Sequence, residues 1–302
     1  MNYKIEDISD DLFLITLNPP LIGFEDFICV WLYRGEVTFL VDVGPSSTAR
    51  GLLHALRDIN ITHLDLILLT HIHLDHAGAI GDIAAHFPQT PIVCHPASIS
   101  HLVDPTRLWE GTKKVLGSIA DGYGPIQAIS RHQTLDAEKF CSEVIVPVMT
   151  PGHALHHVSY WTKNYLFIGE ACGVHYSIGQ DRFCARPATP PRFFFDTYLE
   201  SIEKLNSLRT NKLCLGHYGL ADDAAKVLEN HLRQIFLWEK IINEELKRSN
   251  AENLIEICLA RLLKEDPLLK HFPNLTKEAQ DRETYFIKNS INGFVGYLIG
   301  KQ

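Results

Sequence analysis

Closely spaced cysteines are lacking in this sequence. Seven cysteines occur among 302 residues, and no two of them form a C-x-x-C pair. Disulfide-stapled secreted domains and thiolate zinc sites both need closely spaced cysteines, so neither is indicated. A reducing compartment is the simpler setting, and we expect the protein to be cytoplasmic.

The sequence also lacks a surplus of positive charge and long apolar runs. Lys and Arg total 28 against 36 Asp and Glu, a formal net charge of −8. Binding to phosphate backbones needs a surplus of Lys and Arg, so we expect no nucleic-acid partner. Nowhere do about 18 apolar residues run uninterrupted. The N-terminal stretch MNYKIEDISDD is acidic where a secretion signal has a basic start. We therefore expect neither membrane association nor export.

The remaining composition supports a large buried core. The chain is 46% hydrophobic and 21% charged, and its length fits one large domain, alone or with an appendage. Predicted strands cover 12–17, 27–32, 37–41, 64–69, 91–94, 142–149, 158–161, 165–168 and 212–215. Predicted helices cover 77–87, 105–120 and 194–208. Two β-rich halves with helices between and after them predict an α+β fold, a four-layer αββα sandwich.

The composition shifts after His217, where long helices are predicted at 221–247, 251–264 and 277–299. We therefore predict two parts, a sandwich domain at 1–220 and a C-terminal helical region at 221–302. The last helix carries an apolar stripe of Phe286, Ile287, Ile291, Phe294, Val295 and Leu298. Such a stripe must be covered, either by packing on the sandwich or by a contact in a homodimer.

The segment with the strongest chemical signal is Thr70–Gly78, which follows a predicted buried strand and precedes a predicted helix. It contains the pattern His-x-His-x-Asp-His at His71, His73, Asp75 and His76. In an extended segment, positions 71, 73 and 75 project to one side, while His76 begins the turn and aims elsewhere. One peptide can thus serve two adjacent metals. A loop that only forms hydrogen bonds would leave several ring nitrogens without partners.

This segment resembles the signature loop of the metallo-β-lactamase superfamily, and further motifs follow the family order. The similar segments are Leu40–Gly44, Thr150–His153, Phe167–Glu170 and Leu215–Gly219. The resemblance runs from about residue 27 to 219 and excludes the helical tail. In motif order the chain is similar to hydroxyacylglutathione hydrolases and related lactonases.

The resemblance implies two divalent metal ions, with zinc favoured and iron or manganese as alternatives. The implied ligands are His71, His73 and His153 for one metal, Asp75, His76 and His217 for the other, and Glu170 as the bridge. The sequence departs from the family at Glu170, where most relatives have aspartate. Glutamate is one methylene longer, which leaves the metal spacing and the occupancy of the second site open.

Two other residues are expected to support the ligands rather than bind metal. Asp42 closes a predicted strand and is expected to be a hydrogen-bonding or turn-capping residue. His157 is expected to brace the loop that carries His153. The aromatic run 193–195 is expected in the core.

The implied function is hydrolysis of an ester-like bond in a small molecule by a metal-activated hydroxide, with a thioester or lactone favoured. Asp75 is the predicted catalytic residue, because its carboxylate can help to protonate the leaving group. Two alternatives stay open. The first is a persulfide dioxygenase, a class that is similar to this chain in the early motif and uses a single iron. The second is a non-catalytic metal-binding protein, which would also retain these ligands.

Overall fold

The computed structural model describes residues 2–178, 183–217, 219–248 and 253–300. The chain forms two compact units, one made of Met1–Met149 and His156–Gly169 and the other of Thr150–Leu155 and Glu170–Gln302. The chain therefore passes between the units three times, after residues 149, 155 and 169. Neither unit is a single stretch of sequence. The predicted boundary near residue 220 stays a prediction.

A seven-stranded sheet dominates the first unit, with its strands in sequence order. The strands are β1 (Tyr3–Asp7), β2 (Leu12–Leu17), β3 (Ile28–Arg34), β4 (Thr38–Val41), β5 (Leu66–Leu68), β6 (Ile92–Cys94) and β7 (Thr134–Asp136). Strands β1 to β4 pair antiparallel as a meander, and β4 to β7 pair parallel. All six residues of β2 are buried, which explains why it reads as an unbroken apolar run.

Three more strands of the first unit form an antiparallel sheet in the order β10-β9-β8: β8 (Val146–Met149), β9 (Val158–Trp161) and β10 (Leu166–Gly169). This sheet packs against the larger one. The Phe167 ring lies 6.2 Å from Trp31 and 5.7 Å from Phe39. The buried Tyr160 hydroxyl lies within hydrogen-bond distance of the carbonyls of Leu69 and Val93, at 2.9 and 3.0 Å. The two predicted packed sheets are therefore present.

Six helices connect the strands of the first unit within the described residues. They are α1 (Ala49–Asp58), α2 (Leu74–Ala77), α3 (Ile80–His86), α4 (Pro96–Val103), α5 (Thr106–Leu116) and α6 (Ser118–Tyr123). The helix predicted at 105–120 is interrupted at Gly117, whose φ of 54° is left-handed. A positive φ ends the regular helical backbone, and glycine adopts it readily because it has no side chain, so a separate helix, α6, begins at Ser118.

The second unit consists of two strand pairs and four helices in the described residues. They are β11 (Val174–Ser177), β12 (Phe183–Arg186), α7 (Phe195–Ser207), β13 (Leu213–Leu215), β14 (Leu220–Ala221), α8 (Ala224–Arg248), α9 (Leu254–Glu265) and α10 (Lys277–Gly300). Each strand pair is antiparallel. Residue 251, where the predicted helix 251–264 begins, lies outside the described residues.

An aromatic core holds the second unit together. The Phe294 ring of α10 lies 5.0 Å from Phe193 and 6.1 Å from Trp238 of α8. The Trp238 indole N–H donates to Asp266 Oδ2 at 2.7 Å. Four residues of the apolar stripe on α10 are buried here: Ile287, Ile291, Phe294 and Leu298. The chain itself therefore covers most of that stripe.

Three charged side chains are buried between the β11–β12 pair and α10. Arg186 Nε lies 2.6 Å from Glu283 Oε2, and Arg282 Nε lies 2.7 Å from Glu283 Oε1. Burial opposes ionisation of Glu283, but the two guanidinium groups outweigh it and hold the pKa of this carboxyl below its usual value. The carboxylate is thus shared by two cations.

All seven cysteines are free thiols. No helix in the described part of the chain has the length and hydropathy needed to cross a bilayer.

Candidate functional site

The first group of candidate ligands lies just beyond the end of β5. His71 and His76 are buried, whereas His73 and Asp75 are partly exposed. The His71 ring centroid lies 4.6 Å from that of His73 and 4.2 Å from that of His76. The structure thus gathers the three imidazoles of the signature loop just beyond the carboxyl end of β5, an interior strand of the seven-stranded sheet.

Asp42 orients two of these imidazoles. It follows β4, which runs parallel to β5, so its carboxylate meets the residues that follow β5. Asp42 Oδ2 accepts hydrogen bonds from His76 Nδ1 and from the Thr70 hydroxyl, both at 2.8 Å. The Thr70 hydroxyl oxygen lies 3.0 Å from His71 Nδ1 and can accept its proton. Both histidines therefore use Nδ1 for these hydrogen bonds, so Nε2 is the ring nitrogen that would bind a metal ion.

Asp75 is not extended, contrary to the prediction. Helix α2 begins at Leu74, and Asp75 lies in its first turn. Its Oδ2 lies 3.8 Å from His76 Nε2. The prediction that Asp75 projects with His71 and His73 is wrong, because the helical turn replaces the period of two. Ligand atoms lie within 4.8 Å of each other in the pair His71 and His73 and in the pair Asp75 and His76.

His157 packs beside the first group, so it is not at the surface, while its predicted bracing of the His153 loop stays a prediction. It is fully buried, and its ring lies 5.2 Å from that of His71. Gly169 has a φ of 49°, and a Cβ there would lie 2.7 Å from His157 Nε2 and 2.8 Å from the Thr70 hydroxyl. Only glycine lets the end of β10 approach these two side chains.

His156 is a neighbour of this group that sequence reasoning missed. Its ring lies 6.4 Å from His71 and 6.0 Å from His73. The available signal was its position beside His157 in a loop with three histidines, 153, 156 and 157. A histidine run gives no direction for each side chain, so the proximity needed the structure.

The second group of candidate ligands lies in the second unit and centres on Glu170. Glu170 Oε2 lies 2.8 Å from His153 Nε2, and Glu170 Oε1 lies 3.6 Å from His217 Nε2. All three side chains are buried. His153 Nδ1 donates to the Ala188 carbonyl at 2.9 Å. The longer glutamate side chain therefore presents one oxygen to each histidine.

These donors fit divalent metal ions in both units. Imidazole nitrogen and carboxylate oxygen are ligands of zinc, iron and manganese. His71, His76 and His153 each have Nδ1 in a hydrogen bond, and Nε2 of His76 and of His153 lies near another candidate ligand, the usual arrangement of ligating histidines. A buried carboxylate also needs a compensating positive charge, which a cation bound beside Glu170 would supply.

Comparison with known families identifies the chain. The family model described as the metallo-β-lactamase superfamily matches residues 26–217, more than half of the sequence. The chain belongs to this superfamily. Its fold is the metallo-β-lactamase fold, so the predicted α+β sandwich with a C-terminal helical region is confirmed.

Similar proteins include an archaeal and a bacterial relative. A metallo-β-lactamase fold-containing protein of Sulfurisphaera tokodaii is 26% identical over 73% of this chain and 83% of its own length. A hydroxyacylglutathione hydrolase of Photobacterium profundum is 27% identical over 84% of this chain and 86% of its own. A crystal structure of a family protein from Thermus thermophilus has a TM-score of 0.65 at 17% identity, covering 97% of this chain and 95% of that one.

The seven predicted ligands thus lie in two groups, four residues in the first unit and three in the second. Tyr218, within the last-histidine motif, lies outside the described residues. Superfamily members are mostly hydrolases that bind metal ions, and both units of this chain offer side chains that can do so.

Proposed function

We propose that this chain is a metal-dependent hydrolase with a two-metal centre. The proposed ligands are His71, His73 and His153 for one ion, Asp75, His76 and His217 for the other, and Glu170 for both. Zinc is the proposed metal, with iron or manganese as alternatives. The proposed substrate is a small molecule, with no nucleic acid or membrane partner.

The observation that carries this proposal is the geometry of Glu170. Its two oxygens face two different imidazoles, at 2.8 and 3.6 Å, as expected of a carboxylate that bridges two ions. The bracing of His71 and His76 through Asp42 supports the same reading, because it engages Nδ1 of each ring and so makes Nε2 the nitrogen that would bind a metal.

Divalent ions bound by these ligands would lower the pKa of a coordinated water from about 15.7 toward about 7 and polarise a substrate carbonyl. The partly exposed Asp75 side chain is the proposed carrier of a proton to the leaving group. The balanced reaction adds water across the acyl bond. The carbon to sulfur or carbon to oxygen bond breaks, and the released thiol or hydroxyl receives the proton.

A thioester or lactone is the proposed substrate class. The support is the similarity to a hydroxyacylglutathione hydrolase, which covers 86% of that relative.

An acidic chain with a formal charge of −8 does not attract nucleic acid. The apolar stripe of α10 offers its less buried members for a homodimer contact.

The first experiment measures metal content and turnover together. Protein purified without added metal is analysed by mass spectrometry of its elements, then assayed on a panel of thioesters, lactones and phosphodiesters. We expect about two metal ions per chain and turnover of a thioester or lactone. One iron per chain, with oxygen uptake on a persulfide, would overturn the hydrolase proposal in favour of an oxidoreductase.

Substitution of the bridge tests the ligand set. Glu170→Gln keeps the shape of the side chain but removes its charge, and we expect it to lower the metal content by about one ion and kcat/KM by roughly 100-fold. Glu245→Gln is the matched control, because Glu245 is also buried in the second unit but pairs with Arg261. Equal metal content in both variants would contradict the bridging role.

A further inference from the structure

Helix α7 supports the loop that carries His153. The Tyr198 ring packs against Gly152 so closely that a Cβ at Gly152 would lie 2.2 Å from Tyr198 Cδ2. One turn further along the helix, the Ser201 hydroxyl donates to the Pro151 carbonyl at 2.6 Å. Residues 198 and 201 share one face of α7. The loop before His153 is therefore seated on that face.

The same tyrosine reaches the turn that carries Glu170. In this turn the Gly173 N–H donates to the Glu170 carbonyl at 3.0 Å, and the nearness of this N–H lowers the pKa of Tyr198, against the larger effect of burial. Burial first, then the charges of Cys172 and Glu170, hold the pKa of Tyr198 well above its usual value. The hydroxyl therefore stays protonated and serves as a fixed donor.

His231 of α8 receives that donated proton and closes the arrangement. The Tyr198 hydroxyl lies 2.6 Å from His231 Nε2. Burial lowers the pKa of His231 to about 3, so its neutral ring can accept. The ring also lies against the Glu170 turn, since a Cβ at Gly173 would lie 2.9 Å from His231 Cε1. Both side chains are almost fully buried.

We propose that Tyr198 and His231 act together as positioning residues that hold Glu170 and His153 at the separation needed for metal binding. This inference rests on the proposed function. Neither residue offers an atom to the metal. The Tyr198 ring packs on the His153 loop, the Tyr198 hydroxyl is held by His231, and the His231 ring packs on the Glu170 turn. The C-terminal helical region thus takes part in the site through α8.

The test measures zinc affinity by competition with a chromogenic chelator. Tyr198→Phe keeps the ring and removes the hydroxyl, and His231→Leu removes the acceptor. We expect each to weaken zinc binding about tenfold, and the double variant to weaken it no further, because the two groups act as one unit. His231→Gln keeps an acceptor oxygen and should restore most of the affinity. Tyr176→Phe removes another buried hydroxyl of the second unit and should leave affinity unchanged.

A second readout is the absorption spectrum of the cobalt-substituted protein, which reports ligand geometry independently of turnover. We expect shifted cobalt bands in Tyr198→Phe and none in Tyr176→Phe. The positioning role would be overturned if Tyr198→Phe had the same zinc affinity and cobalt spectrum as Tyr176→Phe. It would also be overturned if the affinity losses of Tyr198→Phe and His231→Leu multiplied in the double variant. If Tyr198→Phe fails to fold, the comparison of His231→Leu with His231→Gln decides the same question. A wild-type protein that retains no metal would instead refute the proposed function itself.

Discussion

Asp42 has an unusual position for a side chain that need not bind metal. It is buried, and its φ of 59° lies in the left-handed region, which costs energy for any residue with a Cβ. In this conformation one carboxylate accepts hydrogen bonds from the Thr70 backbone, the Thr70 hydroxyl and His76. The strain is offset by the bracing of two candidate ligands.

Asp42→Asn should therefore weaken metal binding. The amide keeps the size of the carboxylate but replaces one acceptor oxygen with a donor, which then faces the Thr70 or His76 donors. We expect zinc affinity to fall by about 10-fold or more, measured by chelator competition. Asp65→Asn is the control, because the exposed Asp65 also accepts a backbone N–H, from Thr38 at 2.8 Å. Equal affinities in the two variants would show that Asp42 does not orient the ligand.

At the level of residues, the sequence predicted which side chains gather as candidate ligands but not how each one points. The His-x-His-x-Asp-His spacing identified the first group, and motif order identified His153 and His217. The sequence could not show whether the Glu170 carboxylate reaches two imidazoles, since that depends on the side-chain rotamer of Glu170. The predicted extended conformation of Asp75 was wrong because α2 begins at Leu74, inside the motif.

Among the elements, the end of β10 is held by close packing around Gly169. Gly169→Ala should destabilise the protein by about 2 kcal/mol or more, because the new Cβ meets His157 and Thr70 at a positive φ. The measurement is urea unfolding of metal-free protein. Gly111→Ala is the control within α5, where no atom lies within 4 Å of the new Cβ, and it should stabilise by about 0.5–1 kcal/mol. Similar unfolding midpoints would contradict the tight contact.

The link between the β11–β12 pair and α10 depends on Glu283. Glu283→Gln leaves Arg186 and Arg282 buried without a countercharge, and we expect a loss of about 3–5 kcal/mol in unfolding free energy. Glu229→Gln removes an exposed carboxylate that pairs with Arg233, and should cost less than about 1 kcal/mol. Denaturant curves of both variants make the comparison, and a small loss in Glu283→Gln would show that the buried cluster is not stabilising.

Elements were predictable where an apolar run was bounded by turn residues. Strands at 12–17 and 158–161 were predicted with the bounds that the structure has. Strand β1 was missed because its residues are largely polar and half-exposed. Helix α4 was missed because its N-cap is His95, which is not among the usual capping residues. The β11–β12 pair was missed because its strands are short and contain charged and polar residues that tertiary contacts bury.

On the scale of the whole molecule, two buried histidines make stability sensitive to acid. Burial lowers the pKa of His175 to about 4 and that of His231 to about 3, whereas unfolded histidine titrates near about 6.5. The unfolded chain thus binds more protons below about pH 6.5, so stability falls as pH falls from there toward about 4. We expect metal-free protein to lose unfolding free energy across this window, measured by urea unfolding at several pH values.

The matched variant for this prediction is His231→Gln. It removes one of the two titrating groups, so the dependence should become shallower by about 1.4 kcal/mol per pH unit between about pH 4 and 6. An unchanged slope would show that the ring of His231 is protonated in the folded protein. His63→Gln provides the comparison at an exposed position.

The two compact units could not be predicted from the sequence. The predicted division at residue 220 follows a change in composition, whereas the compact units follow contacts that only the folded chain makes. A short loop such as Thr150–Leu155 carries no compositional sign of the unit to which it belongs. The family and the sandwich, in contrast, were predictable because motif order and strand periodicity are written along the chain.

The repeated crossing of the chain between units has a consequence for biosynthesis. The first unit cannot be complete until residue 169 has left the ribosome, because its last strands follow the Thr150–Leu155 loop. That loop must then await residues 170 onward before its own unit exists. A nascent chain halted between residues 149 and 169 would therefore expose an unfinished sheet edge to other chains.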